Sequence, residues 1–430
     1  MGSKSVQIEK LCNLTTKIGS GATPRGGKES YLDKGPYALI RSQNVLDFFF
    51  SEQGLAYINE EQAAKLSNVE LQENDVLINI TGDSVARVCQ VPSEFLPARV
   101  NQHVAIVRCD EKKLDSTYLK YYLLNPKFKN YMLSLASVGG TRNALTKGML
   151  EDFDVELPDL ATQKRIASIL SAFDEKIELN RQTNETLEAI AQAIYKEWFV
   201  NFNFPGATEE MQDSELGPIP QGWRVVPIGA LFEMVIGGDW GKEECLSSHD
   251  ICCAVIRGTD LPGISVGEIA KVPRRYIKRT NFQKRELCEG DIVFEISGGS
   301  KGQATGRNLI MTKESLALLQ GKAIPASFCR LIRAKDLNHA VFLSTYLRIL
   351  YDDGGTWDYQ LQSTGISNFQ FSDFANRKKL IIPTDQVMEQ YSKLVLPLYK
   401  KMGRNNLDSY YLVQTRDGLL PKLMNGEVEA

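Results

Sequence analysis

The sequence predicts an α+β fold: two tandem mixed α/β domains, each followed by a long helix, the two helices pairing as an antiparallel coiled coil. Two observations predict it. Asp75–Ser84 reads DVLINITGDS and Asp291–Ser300 reads DIVFEISGGS, an offset of 216 residues that Leu39-Ile40-Arg41 and Val255-Ile256-Arg257 share. Two heptad patterns also match, at an offset of 225: Asn180 with Asn405, Leu187 with Leu412, Ile194 with Leu419. One globular module plus one long helix is thus written twice. Such a repeat holds two similar binding faces apart, which suits a partner with two separated sites better than a single active site does.

Residues 1–157 form the first module. Its apolar runs Tyr37–Arg41, Asp75–Ile80 and Val104–Arg108 are short and rich in β-branched residues, and Gly19-Ser20-Gly21 and Gly26-Gly27 punctuate the chain between them. These are the marks of short strands and turns. Leu114–Leu135 spaces tyrosines and leucines by three and four, which predicts a helix. Leu157-Pro158 ends a final strand.

Residues 158–204 hold the first long helix. Ile166, Leu170, Phe173, Ile177, Asn180, Asn184, Leu187, Ala191, Ile194 and Trp198 alternate steps of four and three, a coiled-coil seam. The helix itself spans roughly Gln163–Val200, about 38 residues or ~57 Å at 1.5 Å per residue. Residues 205–222, acidic and rich in Pro and Gly, read as a linker. The second module follows over 223–383. Residues 384–430 give the second helix and a C-terminal tail, with Tyr391, Val395, Leu398, Met402, Asn405, Ser409, Leu412, Arg416, Leu419 and Leu423 on the seam. Pro397 falls inside that pattern and predicts a kink or a late start. Asn180 and Asn405 are expected to fix the register of the pair. The expected subunit interface comprises Ile177, Asn180, Leu187, Ile194 and Trp198, with Met402, Asn405, Leu412 and Leu419 on the second helix. Self-pairing of two chains through these helices is the alternative. Trp198 and Phe199 are expected to be exposed, an apolar patch that would want a partner.

Hydrophobic residues make up 43% of the chain and charged ones 24%, an ordinary globular balance. No stretch approaches the ~20 apolar residues of a membrane span, and Met1–Ser5 carries no signal-peptide apolar region. The eight cysteines form no CxxC pair, so free, buried thiols in a reducing cytoplasm are expected. The three histidines fall near no cysteine pair, which argues against zinc. A net charge of −3 opposes phosphate binding by the surface as a whole. Yet Lys271–Arg285 carries seven basic residues and no acid. It is either a phosphate-tracking edge, with Arg274 and Arg275 at its centre, or the solvated side of a hairpin.

Catalytic constellations are missing. Gly298-Gly299-Ser300-Lys301-Gly302 has the wrong spacing for a nucleotide loop. Asn125-Pro126-Lys127-Phe128 departs from the tetrad of adenine methyltransferases, Lys127 replacing a proline, and reads as a turn flanking a helix. Asp159 with Asp174-Glu175-Lys176 has the spacing of a metal-dependent nuclease, but its second part lies in the heptad helix. No histidine accompanies a nucleophile elbow. The chain is expected to bind and position while partners do the chemistry.

Binding candidates recur in both halves. After an apolar strand, the first module places Thr81, Ser84 and Arg87, and the second Ser300, Lys301, Gln303 and Arg307. Small residues let backbone amides approach a phosphate, and Gln or Arg reads base edges. A second polar stretch precedes the last helix of each module: Arg142, Asn143 and Lys147 in the first, Thr364, Ser367 and Asn368 in the second. Helix capping by Thr146 and Ser367 is the competing reading. Asn101 and Gln102 before His103 form a third candidate. Arg41, Ser42 and Asn44, with Arg257 and Thr259 opposite, begin the same face.

The chain resembles the specificity subunits of type I restriction–modification systems. Besides the two-module layout, the resemblance rests on LGPIPQGW at Leu216–Trp223, on Leu157-Pro158 with Gln163-Lys164-Arg165-Ile166, and on Lys176–Asn180. It covers essentially the whole chain, although the tryptophan-containing segment that often opens the first domain is absent before Ile8. The resemblance implies that each module is a target recognition domain for one half of a bipartite double-stranded DNA sequence. It implies helices that space the half-sites and dock two modification subunits, which carry S-adenosylmethionine and methylate adenine. Restriction subunits using ATP and Mg would complete the complex. This chain would itself be no enzyme and bind no cofactor, metal or membrane. A ~57 Å spacer corresponds to about 17 base pairs at ~3.4 Å each. A coiled-coil scaffold without DNA contact is the alternative.

Overall fold

The computed structural model describes residues 7–137, 143–298, 302–363 and 366–430. It forms two compact units, one of residues 1–176 with 413–430 and one of residues 177–412.

In the first unit a four-stranded antiparallel sheet runs in the order Thr15–Ser20, Val104–Cys109, Val76–Asn79, Val88–Gln90. Its middle strands are continuous apolar runs because both faces are buried. Val76, Ile78, Ala105 and Val107 face a core that holds the helices Ser116–Leu124 and Pro126–Ser137. Leu77, Val104 and Ile106 face a second core under a three-stranded sheet. That sheet pairs Tyr37–Ile40 antiparallel with Ala56–Ile58 and parallel with Ala98–Val100. The expected single helix over Leu114–Leu135 is therefore two. Proline at 126 cannot continue the ladder, and Asn125 turns the chain, its Oδ1 accepting the Lys127 amide at 3.2 Å. Gln7–Lys10 closes the module against Asp154–Leu157.

The second unit repeats the plan. Phe232–Gly237, Cys329–Ala334, Ile292–Glu295 and Asn308–Ile310 form the four-stranded sheet. Ile251–Ile256 lies between Arg274–Ile277 and Ala323–Pro325 in the three-stranded one. The basic run is thus a strand followed by the helix Arg279–Arg285, with Arg275 stacked on Trp240 at 4.4 Å and paired with Glu243. Residues 205–222 are folded rather than slack: Met211–Gln212 pairs with Ile219–Pro220, and Gln212 Nε2 donates to the Trp223 carbonyl at 2.6 Å. Trp223 is 2% exposed among Phe199, Phe202 and Phe204. This packing explains the LGPIPQGW stretch, whose Gly217 and Gly222 take positive φ to turn the tryptophan inward.

The long helices span Leu160–Phe199 and Asp385–Met424. They pair antiparallel within the chain, in place of the self-paired alternative. In the first unit Asp174 receives Arg416 at 2.7 Å, together with Lys120 and the Tyr121 hydroxyl. The carboxylate that resembled part of a nuclease site is consumed by these partners. In the second unit Asn180 Nδ2 donates to Ser409 Oγ at 3.1 Å, and Asn405 Nδ2 donates to Asn184 Oδ1 at 2.8 Å. These bonds are images of each other under the 225-residue repeat. The second helix neither starts late nor breaks at Pro397. The proline is exposed, as is Lys393, whose carbonyl loses the bond and is left to solvent, while Tyr391, Val395 and Tyr399 stay buried.

Trp198 and Phe199 are not exposed. They are 7% and 4% accessible, packed against Tyr391 and, for Phe199, Phe342. Asn180 and Asn405 are buried, and Ile177, Leu187, Ile194, Met402, Leu412 and Leu419 half-buried. The thiols divide. Cys89, Cys109, Cys253 and Cys329 are buried, and desolvation pushes each up to about 12. Cys12, Cys245 and Cys288 are exposed, contrary to the expectation that all are buried.

One ion pair appears in both modules. Asp75, fully buried, receives Arg108 Nε at 2.8 Å and Nη2 at 2.7 Å, and accepts the Gln72 amide at 2.8 Å. Asp291, 1% exposed, receives Arg333 Nε and Nη2 at 2.7 Å each, and the Cys288 amide at 2.6 Å. Arg108→Ala strands a buried carboxylate, so it lowers stability by about 3–5 kcal/mol. Asp75→Ala costs less, because the freed arginine, 21% exposed, reaches water. Chemical denaturation of both variants checks this order. Titration of the native chain with a thiol reagent is expected to label Cys12, Cys245 and Cys288 quickly and the four buried thiols only on unfolding.

Candidate nucleic-acid interface

Three separate segments meet at one end of the two middle strands of the four-stranded sheet in the first module. Ile80, just past the central strand, donates its amide to the His103 carbonyl at 2.9 Å, and its own carbonyl accepts the Leu145 amide at 2.9 Å. Gly82 donates to the Asn143 carbonyl at 3.1 Å, and Thr81 bridges Ala144. Thr81 Oγ1 bonds His103 Nδ1 at 2.6 Å, and Thr23 bonds Gln102. The fold thus gathers Thr81, Ser84, Gln102, Asn143 and Lys147, candidates far apart in sequence. Asn143, Gln102 and Lys147 are exposed and Thr81 and Ser84 half-buried. Thr146 also caps the helix Lys147–Glu151, accepting the Met149 amide at 3.2 Å.

The second module gathers the same segments. Ile296 donates to the Phe328 carbonyl at 2.9 Å and accepts the Phe369 amide at 2.8 Å. Ser297–Gly298 pairs with Ile366–Phe369, which pairs with Gln360–Ser363. Ser297 Oγ donates to Asn368 Oδ1 at 2.8 Å. Ser367 caps no helix: it lies in a strand, 4% exposed, and Gln370 stands at the start of the following helix. Asn368 and Gln303 are exposed. Arg142, Ser300, Lys301 and Thr364 lie outside the described residues.

Other candidates serve the fold. Asn44 is fully buried and its Oδ1 accepts the Arg41 amide at 3.0 Å. Asp260 does the same for Arg257 at 2.9 Å. These side chains close a repeated turn and are not presented outward. Arg41 donates to the Gly54 carbonyl, and Arg257 to Asp260 and the Lys271 carbonyl. Asn101, 7% exposed, accepts the His103 amide at 3.1 Å. Ser42 is half-buried, with its carbonyl on Asn79; Thr259 and Arg274 are exposed. Sequence reasoning missed Phe328, 62% exposed beside Ser297. The 225-residue offset that aligns the helices also aligns it with His103, so the signal was present.

Residues 2–189 match the family model of the type I restriction modification DNA specificity domain. A type I restriction enzyme specificity subunit of Methanocaldococcus jannaschii is 28% identical over 99% of this chain and 94% of its own length. The HindI specificity subunit of Haemophilus influenzae is 22% identical over 72% of this chain and 77% of its own. Over nearly its whole length the chain is similar to type I restriction–modification specificity subunits. They are the non-catalytic members of such systems. The crystal structure of an S subunit from M. genitalium, at 14% identity, shares the fold with a TM-score of 0.55 over 98% of this chain and 97% of that one. Among the described residues, no group of three or more His, Cys, Asp or Glu side chains is placed to hold a metal ion, and no helix is long and apolar enough to cross a membrane.

The two modules treat one arginine differently. Asn79 and Glu295 are equivalent, each donating its amide to the carbonyl of an arginine, Arg87 and Arg307, at 2.9 Å. Glu295, 1% exposed, receives Arg307 Nε at 2.9 Å and Nη2 at 2.5 Å. This contact raises the arginine above its usual pKa and commits it to the fold. Asn79 carries no charge, and its Nδ2 is spent on the Ser42 and Val45 carbonyls. Arg87, half-buried, makes no ion pair among the described residues. Arg307→Ala is expected to cost about 3–5 kcal/mol, because it strands a buried carboxylate. Arg87→Ala is expected to stay within about 0.5 kcal/mol. Thermal melts of the two variants give the comparison.

Proposed function

We propose that this chain is a specificity subunit that reads a bipartite double-stranded DNA target, one half with each module. Its helices dock two modification subunits, and restriction subunits join that assembly. S-adenosylmethionine is bound by the modification subunits, and ATP and Mg by the restriction subunits. One observation carries the reading: the same three segments converge in both modules and offer different side chains there. A shared scaffold with differing tips is what reading two different half-sites requires. The domain match and the names of the relatives support the same assignment.

The phosphate-facing charge is local, since the chain as a whole is weakly acidic. Arg87 is the described candidate of the first module with a cation to spare. Arg307 is replaced in that role by its structural one.

Methylome sequencing of cells expressing this chain with a modification subunit of its system is expected to show a bipartite adenine-methylation motif that vanishes when the chain is deleted. A motif that persists would assign specificity to another chain and leave this one a scaffold. Arg87→Glu is expected to weaken DNA binding by the assembled complex without dissociating it. The slope of log affinity against log salt should fall by about 1.

A further inference from the structure

The small sheet of the second module sets Ser297, Asn368 and Leu361 directly across from one another on three adjacent strands. Paired residues send their side chains to the same face. Asn368 is exposed, Leu361 is 62% exposed, and Ser297 is half-buried. The alternation that turns Asn368 outward turns Ser367 inward. Beside the row stands Phe328, on a tight turn closed by the Cys329 amide on the Ala326 carbonyl at 2.8 Å. Its carbonyl accepts the amides of Ile296 and Ser297, at 2.9 and 3.3 Å. Single exposed apolar residues need no explanation. Here Leu361 adjoins one oriented amide on one side and Phe328 lies past Ser297 on the other, where three recurrent segments meet.

The amide is held in one orientation. Ser297 Oγ occupies one lone pair of Asn368 Oδ1 at 2.8 Å, and among the described residues nothing else bonds that amide. Asn368 Nδ2 retains its donors and Oδ1 a second lone pair. That pair of functions matches the major-groove edge of adenine, where N7 accepts and the N6 amino group donates. The thymine of the same base pair presents a methyl group, which apolar side chains contact. A two-stranded ribbon such as Gln360–Ser363 with Ile366–Phe369 fits the major groove. Among the described residues, the first module shows no such row. There Thr81 bonds His103 instead and bridges Ala144.

We infer that Asn368 reads the adenine of an A·T pair in the half-site bound by the second module, with Leu361 against the thymine methyl and Ser297 as a positioning residue. The inference rests on the DNA-reading function proposed above. Chemistry at the row is confined to hydrogen bonding and apolar contact.

The test uses the complex with its modification subunits, on the motif that methylome sequencing of the wild type defines. Asn368→Ala is expected to make one A·T position degenerate in one half of the motif and to leave the other half and the spacing intact. Binding to the wild-type target should fall about 5- to 150-fold, the range a bidentate base contact supplies. Replacing that adenine by 7-deazaadenine should weaken the wild type and add nothing to Asn368→Ala. Asn368→Asp, which keeps the shape and loses the donor, should lose the preference for adenine. Ser297→Ala should relax the same position less. Uracil in place of thymine should weaken the wild type more than Leu361→Ala. Thr81→Ala, as a control, should alter only the other half. An unchanged motif in Asn368→Ala, or a loss spread over both halves, overturns the inference. So does a second half with no fixed A·T pair, and indifference to uracil overturns the thymine contact. A wild-type complex that yields no bipartite motif overturns the DNA-reading function itself, which is a separate result.

Discussion

The buried aspartate–arginine pair is the constraint on which each module depends. Asp75 with Arg108, and Asp291 with Arg333, join neighbouring strands of the four-stranded sheet through two parallel hydrogen bonds. Each carboxylate also holds the amide three residues before it, and each arginine reaches one further carbonyl, Glu70 or Glu286. A bidentate pair tolerates little sliding. It therefore sets the register of the two strands, and a slip by one residue would turn every apolar side chain to the wrong face. The place where the three segments converge lies a few residues along the same strands. The contacts Ile80–His103 and Ile296–Phe328 inherit that register, so a charge pair at one end of the sheet places the polar tips at the other.

Much of the architecture was legible because it was written twice. A pattern offset by 216 residues marks equivalent strands, and one offset by 225 marks equivalent helices. Both kinds of signal survive without knowing which residues touch. The seam asparagines were legible for the same reason, since a polar residue at a periodic apolar position has few structural roles. The aspartates were visible at the head of the repeated strands, but their arginines lie 33 and 42 residues further on. Periodicity over a short window does not reach that far. Trp198 and Phe199 were misplaced because a seam pattern describes two helices only. In the second unit a third layer, carrying Phe342 and Trp223, covers them.

The candidate site was legible in part. Residue type and recurrence found Thr81, Asn143 and Asn368, which do lie on the converging segments. The same criteria also selected Asn44, Arg257 and Arg307, whose donors and acceptors are used within the fold. A polar side chain in a loop is ambiguous from sequence, because it satisfies either a partner or its own backbone. Only three-dimensional accounting separates the two uses. Phe328 escaped because exposed aromatics look like core residues when read in one dimension.

Gly258 occupies the position equivalent to Ser42, and a Cβ there would overlap the Glu295 carboxylate. The first module has a side chain at that position and the shorter, neutral Asn79 beneath it. The two positions are therefore coupled by volume as well as by charge. A lineage that converts one arrangement into the other must shorten Glu295 before residue 258 can gain a side chain, and must at the same step release Arg307. The path between the two arrangements has a fixed order, and its intermediate carries an arginine without its buried carboxylate partner.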